Sequence, residues 1–448
     1  MKRVIFTFLI LLFCAGFGCK AWALNAQLLE NTINSNPVSK SSIVSVSVRN
    51  LQTGGILYQK NSSVLARPAS TLKFFTSAAA LDFLGLDYKF ITGFWKDANT
   101  TYLKVSGDPL FDESNMFYII SQLLANNYKT TKDFVIDDTI IDKIPYGVGW
   151  YADDNASGFF PQMSPYIINR NLFCVRAEIV KNKIIPSFCS TYHEPTIVRL
   201  KVSQTDYYNI SRDPFSKRAA VIEGEISQNT EFKIPALNTE EMFKSYFFKT
   251  LQHFNLAVNP MIKYEKTPRF SYELSSIYHT VKEVLYAINK RSDNLAAEIL
   301  LKHLGAVSSG QTGSTKNGLE RFKLFYQDLG VYTEGIIVAD ASGASMNNLL
   351  TSDWQTKALC AISKTKYFNE LKSSMATPSD GTFSGRLGEL DGKLNVKTGT
   401  LSNTSTVAGY ITTQDGEQLA FSIMLDNLPE GAKPKEFENN LIRAIYSE

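Results

Sequence analysis

Pro68-Ala69-Ser70-Thr71-Leu72-Lys73 runs straight into Phe74-Phe75-Thr76-Ser77-Ala78-Ala79-Ala80-Leu81, and the pattern stops at Gly85. A small, apolar centre with a glycine just past the last periodic residue predicts a helix over 71–84, buried on several sides. Ser70 stands at the start of that helix. Lys73, three residues on, shares its face one turn away. A serine hydroxyl is a poor nucleophile without a base in hydrogen-bond reach. Lysine serves as that base when burial and a second cation keep it neutral. The bland alternative is a serine N-cap beside a solvated lysine.

Two distant segments bear on that choice. Ser292-Asp293-Asn294 falls at the break between helical patterns over 280–290 and 295–304, and Lys397-Thr398-Gly399-Thr400 lies on a strand-like run. Taken singly, the first is a set of helix-capping residues and the second a surface strand. In this order, the three segments form the parts of a serine acyl-transfer site with a lysine base. In that reading Ser292 relays a proton from Lys73 to the leaving amine, and Asn294 hydrogen-bonds a peptide carbonyl. Lys397 supplies the second cation. Gly399 lets a substrate backbone come close, while Lys397, Thr398 and Thr400 bind a terminal carboxylate. The N–H groups of Ser70 and Thr400 make an oxyanion hole. Ser363-Lys364-Thr365-Lys366 opens no comparable apolar helix, and Ser345-Met346-Asn347 marks no clear helix break.

Working outward, residues 43–48 and 56–58 read as a β-hairpin around Thr53-Gly54-Gly55. Strand-like runs at 393–398, 405–413 and 418–426 precede a helix over 434–446, with a hairpin turn at 414–417. Strands at both chain ends share one sheet only if the ends meet. Between them lie short strand-like runs at 102–105, 134–141, 179–185, 197–202 and 219–226. We expect a catalytic α/β domain split in sequence, 24–87 plus 275–448, around one or two β-rich inserted domains at 88–274.

The chain has 448 residues, 44% hydrophobic and 20% charged, enough for two or three domains and against wholesale disorder. Lys2 and Arg3 precede an apolar run over 4–17 and then Ala21-Trp22-Ala23, the pattern of a signal peptide spanning 1–23. An uncleaved anchor and a lipoprotein cut before Cys19 are the alternatives. Cleavage after Ala23 removes three cations and no acid, taking the formal charge from +3 to zero. A neutral chain gives no argument for nucleic acid or an anionic membrane surface as partner. No later stretch is long and apolar enough for a transmembrane segment. Cys174 and Cys189 are the disulfide candidates, and Cys360 sits in an apolar run. The four histidines lack ligand spacing, so no metal or other cofactor is expected.

These segments together resemble the D-alanyl-D-alanine carboxypeptidase/endopeptidases of the penicillin-binding-protein 4 type. The resemblance covers nearly the whole chain after residue 23. It takes in Ser106-Gly107-Asp108-Pro109, Gly149-Trp150-Tyr151-Ala152-Asp153-Asp154, Lys290-Arg291-Ser292-Asp293-Asn294 with Ala297-Glu298, Asp380-Gly381-Thr382 and Val396-Lys397-Thr398-Gly399-Thr400-Leu401. It implies a serine β-lactamase/transpeptidase-like catalytic domain with Ser70 as nucleophile, Lys73 as base, and Ser292 and Lys397 in proton transfer. Asn294, Thr398, Gly399 and Thr400 bind substrate, and Asp154 faces the free amine of diaminopimelate. The implied substrates are peptidoglycan stem peptides in the periplasm, with β-lactams as covalent inhibitors. Asp340-Ala341-Ser342-Gly343-Ala344-Ser345 departs from a family Asp-Gly-Ser-Gly-Leu-Ser loop at Ala341 and Ala344. The rival enzyme is a β-lactamase, against which the long insertion after Ser70 argues. The rival outside catalysis is a cell-wall binding protein.

Overall fold

The computed structural model describes residues 26–151, 156–213 and 219–447. The expected signal peptide and Asp154 lie outside them. Strands from the two chain ends do meet. Leu394–Leu401, Thr404–Thr412, Gln418–Asp426, Ile43–Asn50 and Ile56–Lys60 form, in that order, a five-stranded antiparallel sheet. Period-two alternation sorts its side chains. Along Gln418–Asp426, Leu419, Phe421, Ile423 and Leu425 pack with Val44, Val46 and Val48 against the helix Pro434–Tyr446. Ala420 and Met424 face the other way, into the core that holds Phe74, Phe75 and Leu81.

The alternate positions on that second face are partly polar, and each has a partner. Ser45, Ser47 and Ser422 are fully buried and hydrogen-bond Ser352, Thr356 and Gln355 of the helix Ser352–Ile362 at 2.7–2.8 Å. A buried hydroxyl is tolerated when it is so paired.

The helix Leu72–Leu84 lies inside this layer, with every residue from Leu72 to Leu81 buried, Lys73 included. Ala78, Ala79 and Ala80 carry little side chain, so the helices Val281–Asn289 and Asn294–Ser309 pack closely against it. Gly85 ends it at φ +80°.

The middle of the chain has its own core around Phe94, Phe134, Phe243 and Phe247. It holds a five-stranded sheet in the order Ile262–Tyr264, Asp133–Asp137, Thr100–Lys104, Lys89–Lys96, Tyr272–Thr280, and two three-stranded sheets. Strand Tyr272–Thr280 pairs antiparallel with Lys89–Lys96, so it runs through the boundary expected at 274/275. The region is less purely β than expected. Helix Glu113–Ala125 buries Met116, Ile119, Ile120 and Leu123, a helical spacing, behind an Asp112 capping box. Thr239–His253 is a second helix. The run at 179–185 is the turn of a hairpin, Leu172–Val180 with Lys183–Phe188. Lys181 and Asn182 at its tip have φ of +49° and +61°, as a two-residue I′ turn requires. Cys174, within the first strand of this hairpin, and Cys189, just past the second, are bonded, with Cα atoms 5.1 Å apart. Among the described residues no helix is long and apolar enough to cross a membrane.

Candidate active site

Ser70 sits in a single 3-10 turn, Ala69–Thr71, that leads into the buried helix. Ala69 is left-handed, φ +46°, a conformation costing about 1–2 kcal/mol for a residue with a Cβ. The neighbours that hold it come from three places. The Pro68 carbonyl accepts from Thr71 Oγ1 and Thr406 Oγ1, each at 2.7 Å. Gly399 lies flat against the turn: a Cβ there would stand 2.7 Å from the Ser70 nitrogen and 2.4 Å from Thr406 Oγ1. The close approach that Gly399 permits is therefore that of the nucleophile's own backbone. Gly343, φ +76°, packs against the Ala69 carbonyl.

Lys73 is fully buried and donates to Ser70 Oγ at 2.7 Å and to the Ser342 carbonyl at 2.7 Å. Burial pulls its pKa down to about 8, against the opposing pull of Asp340, Glu298 and Asp293. Lys397, also fully buried, donates to Ser292 Oγ and to its neighbour's carbonyl at Thr398, each at 2.9 Å. Burial, then Lys73, then Lys435 hold it well below the usual lysine range. Burial is the largest cause at both lysines, and the repulsion between their ammonium groups disfavours a charge on both at once.

Ser292 is itself left-handed, φ +61°, at the break between two helices. Asp293 caps the second by accepting from the Ala296 N–H at 3.1 Å, and Arg170 from the middle region sits 2.7 Å from its other oxygen. Asn294 donates to the Phe159 carbonyl at 2.8 Å, which leaves its second N–H and its Oδ1 for a ligand. Thr398 Oγ1 pairs with Thr382 Oγ1 at 2.7 Å, and Lys290 forms an ion pair with Asp380.

A cleft of about 1020 Å³ joins these parts. Ser70, Ser292, Asn294, Thr398, Gly399 and Thr400 line it, together with Tyr151, Phe159 and Phe160. Ser70, Lys73, Ser292, Asn294, Lys397, Thr398, Gly399 and Thr400 thus converge on one place, although up to 330 residues of sequence separate them.

The loop that begins with Asp340-Ala341-Ser342-Gly343-Ala344-Ser345, noted in the sequence for its departures at Ala341 and Ala344, is part of the frame of this site, a role its sequence does not announce. Asp340 is fully buried and accepts from the N–H groups of Gly343 (2.8 Å) and Ser345 (2.6 Å), from Asn348 Nδ2 (2.7 Å) and from Trp150 Nε1 (2.9 Å). Glu298, equally buried, accepts from the Ala341 and Ser342 N–H groups. Burial and Asp340 raise its pKa. The passed-over Ser345-Met346-Asn347 belongs to this loop, and Met346 and Ala344 line the cleft.

The D-Ala-D-Ala carboxypeptidase 3 (S13) family matches residues 25–445. The D-alanyl-D-alanine carboxypeptidase of Actinomadura sp. (strain R39) is 26% identical over 446 residues, covering 90% of this chain and 82% of its own. Penicillin binding protein 4 (dacB) from Haemophilus influenzae superposes with a TM-score of 0.82 at 21% identity, covering 94% of this chain and 99% of its own. The same protein complexed with a novel β-lactam superposes at 0.77, with 20% identity and the same coverage. The two structures share the fold of this chain, a mixed α/β architecture with several sheets. With the family match spanning nearly every residue, the chain belongs to the D-Ala-D-Ala carboxypeptidase 3 (S13) family of serine-type hydrolases.

Proposed function

We propose that this protein is a periplasmic DD-carboxypeptidase and/or DD-endopeptidase that cleaves D-Ala-D-Xaa bonds of peptidoglycan stem peptides through an acyl-enzyme on Ser70. The observation that carries this reading is the contact of Ser70 Oγ with a fully buried Lys73 at the head of the cleft. Lys73 takes the Ser70 proton as the hydroxyl oxygen attacks the carbonyl carbon. The N–H groups of Ser70 and Thr400 hold the developing oxyanion; the Lys397 strand is the sheet's edge, and the Thr400 N–H is in phase with that of Val396, which points away from the sheet to the Ala376 carbonyl. Ser292, bonded to Lys397, passes a proton to the leaving amine, and Asn294 aligns the peptide. Water then releases the acyl group. β-Lactams acylate the same serine because their strained amide mimics the scissile one. The inserted residues 88–274 carry Phe159 and Tyr151 to the cleft wall, and Asp154 is assigned to the free amine of diaminopimelate.

The test is an intact-mass time course with benzylpenicillin, followed by peptide mapping. We expect a long-lived adduct of one penicillin on the peptide that contains Ser70. Rapid penicillin turnover would replace this reading with a β-lactamase. The absence of any adduct on folded protein would replace it with a non-catalytic one.

A pH profile checks the base separately. A lysine must lose its proton before it can accept one, so the Ser70 acylation rate should rise with pH through about 8, where burial places Lys73. A profile flat from pH 6 to 9.5 would remove Lys73 from that role.

A further inference from the structure

Two tasks are expected of Lys397, moving a proton and binding a substrate carboxylate. The structure favours the first. Its Nζ is buried and turned to Ser292 and the Thr398 carbonyl. It also lies on the opposite side of its strand from Thr398 and Thr400, because side chains alternate along a strand. Thr400 is the register partner of Ser405 on the next strand, and directly paired residues share a face. On that face a different cation reaches the cleft. Lys435, near the start of the terminal helix, lines the cleft beside Thr398, Thr400, Ser402 and Asn403. Its Nζ donates to Ser405 Oγ at 2.8 Å and lies 3.5 Å from Glu438.

The surrounding charges do not cancel it. Glu438 is fully buried, and it is shared with Arg386 at 2.8 Å and with Ser405 Oγ at 2.6 Å. One carboxylate therefore faces two cations, which leaves a surplus positive charge. The other cation on the cleft wall, Arg67, is committed: its Nε and Nη2 hold Asp426 at 2.9 and 2.6 Å, and Nη2 also holds Asn427. An ammonium has three donors. The contacts with Ser405 and Glu438 take two, and the side chain, 41% exposed, lies on the cleft wall.

We infer that Lys435, not Lys397, supplies the positive charge that binds the carboxylate of the leaving residue, with Thr398 and Thr400 as its hydroxyl partners on the same face. This rests on the peptidase reading above, and it assigns a substrate-binding residue that lies outside the three motifs. The two tasks then fall to two lysines, one on each side of the Leu394–Leu401 strand.

The test compares an acyl-D-Ala-D-Ala peptide with its C-terminal amide, using wild type, Lys435→Gln and Lys435→Arg. The expected loss in Lys435→Gln is about 10- to 100-fold in kcat/KM on the free acid, the worth of one charged hydrogen bond. It should appear mainly in KM, with the rate on the amide unchanged and Lys435→Arg restoring most of the loss. Equal losses on acid and amide would mean that Lys435 only supports the fold, and no loss on the acid would mean that it does not touch the carboxylate. Either result overturns the inference while leaving the Ser70 mechanism intact. Wild-type protein that cleaves neither peptide and takes no penicillin on Ser70 would overturn the mechanism, and this inference with it.

Discussion

Ser70→Ala is expected to abolish the penicillin adduct and to lower peptidase kcat by about 10⁴-fold or more, and Lys73→Met to come close to it. The two groups are one device. Among the described residues Lys73 is the nitrogen base in contact with Ser70 Oγ, at 2.7 Å. Removing either partner leaves the other without a reaction to take part in, so the double variant should be no worse than Ser70→Ala alone. Lys73→Arg should be nearly as inactive as Lys73→Met. Guanidinium keeps the charge and the donors but does not release a proton near neutral pH. Activity in Lys73→Arg within tenfold of wild type would sink the base assignment.

Stability gives the same lysine a second readout. Burial lowers the folded pKa of Lys73 from the lysine value of 10.5 to about 8. Between those two values the unfolded chain holds a proton that the fold has released, so wild-type stability should rise with pH across that window. Below about pH 8 both states are protonated, and the cost of burying the charge is constant. In Lys73→Met that upward slope should shrink, which urea denaturation at pH 7.5 and pH 10 would detect.

How much of this was legible in the sequence follows from range. The helix at 72–84 and the hairpin ending in Gln418–Asp426 carry strong local signals: an apolar core closed by Gly85, and alternation broken by Asp415-Gly416. The motifs named Ser70, Ser292 and Lys397 because their chemistry and order belong together, and the sheet that joins the chain ends explains how they meet. What local signals do not carry is contact across the fold. Asp340 and Glu298 act by accepting backbone N–H groups, which leaves no periodicity to read. Lys435 is one lysine on a charged helix until Ser405 stands beside it. The helix Glu113–Ala125 is a different kind of miss. Its apolar spacing was present, and the surrounding short strands hid it. Lys181-Asn182 adopts a turn that Asn-Gly usually announces, and so the hairpin was read as one strand.

Gly343→Ala should slow the reaction at Ser70 by about 100-fold or more, although Gly343 does not line the cleft. A Cβ at this position would stand 1.8 Å from the Ala69 carbonyl oxygen and 2.5 Å from its carbon, both backbone atoms with no rotamer to yield. The left-handed φ of +76° adds its own penalty for any side chain. Either the Ala69 turn or the loop must move. The loop is tied down, with Asp340 accepting the Gly343 and Ser345 N–H groups and Glu298 accepting that of Ser342. The turn is the weaker side, since Ala69 is already strained and Ser70 is only partly buried. Displacing it by about 1 Å takes Ser70 Oγ out of line with Lys73, an error worth about 10²-fold in rate. Overpacking of this kind also costs about 1–3 kcal/mol of stability. We therefore expect Gly343→Ala to fold with a lowered denaturation midpoint and to acylate with penicillin at least 100-fold more slowly. Ala341→Gly in the same loop opens space without a clash and serves as the control. Wild-type acylation by Gly343→Ala would show that the loop, not the nucleophile's turn, gives way, and that the contact between them does not set the geometry of Ser70.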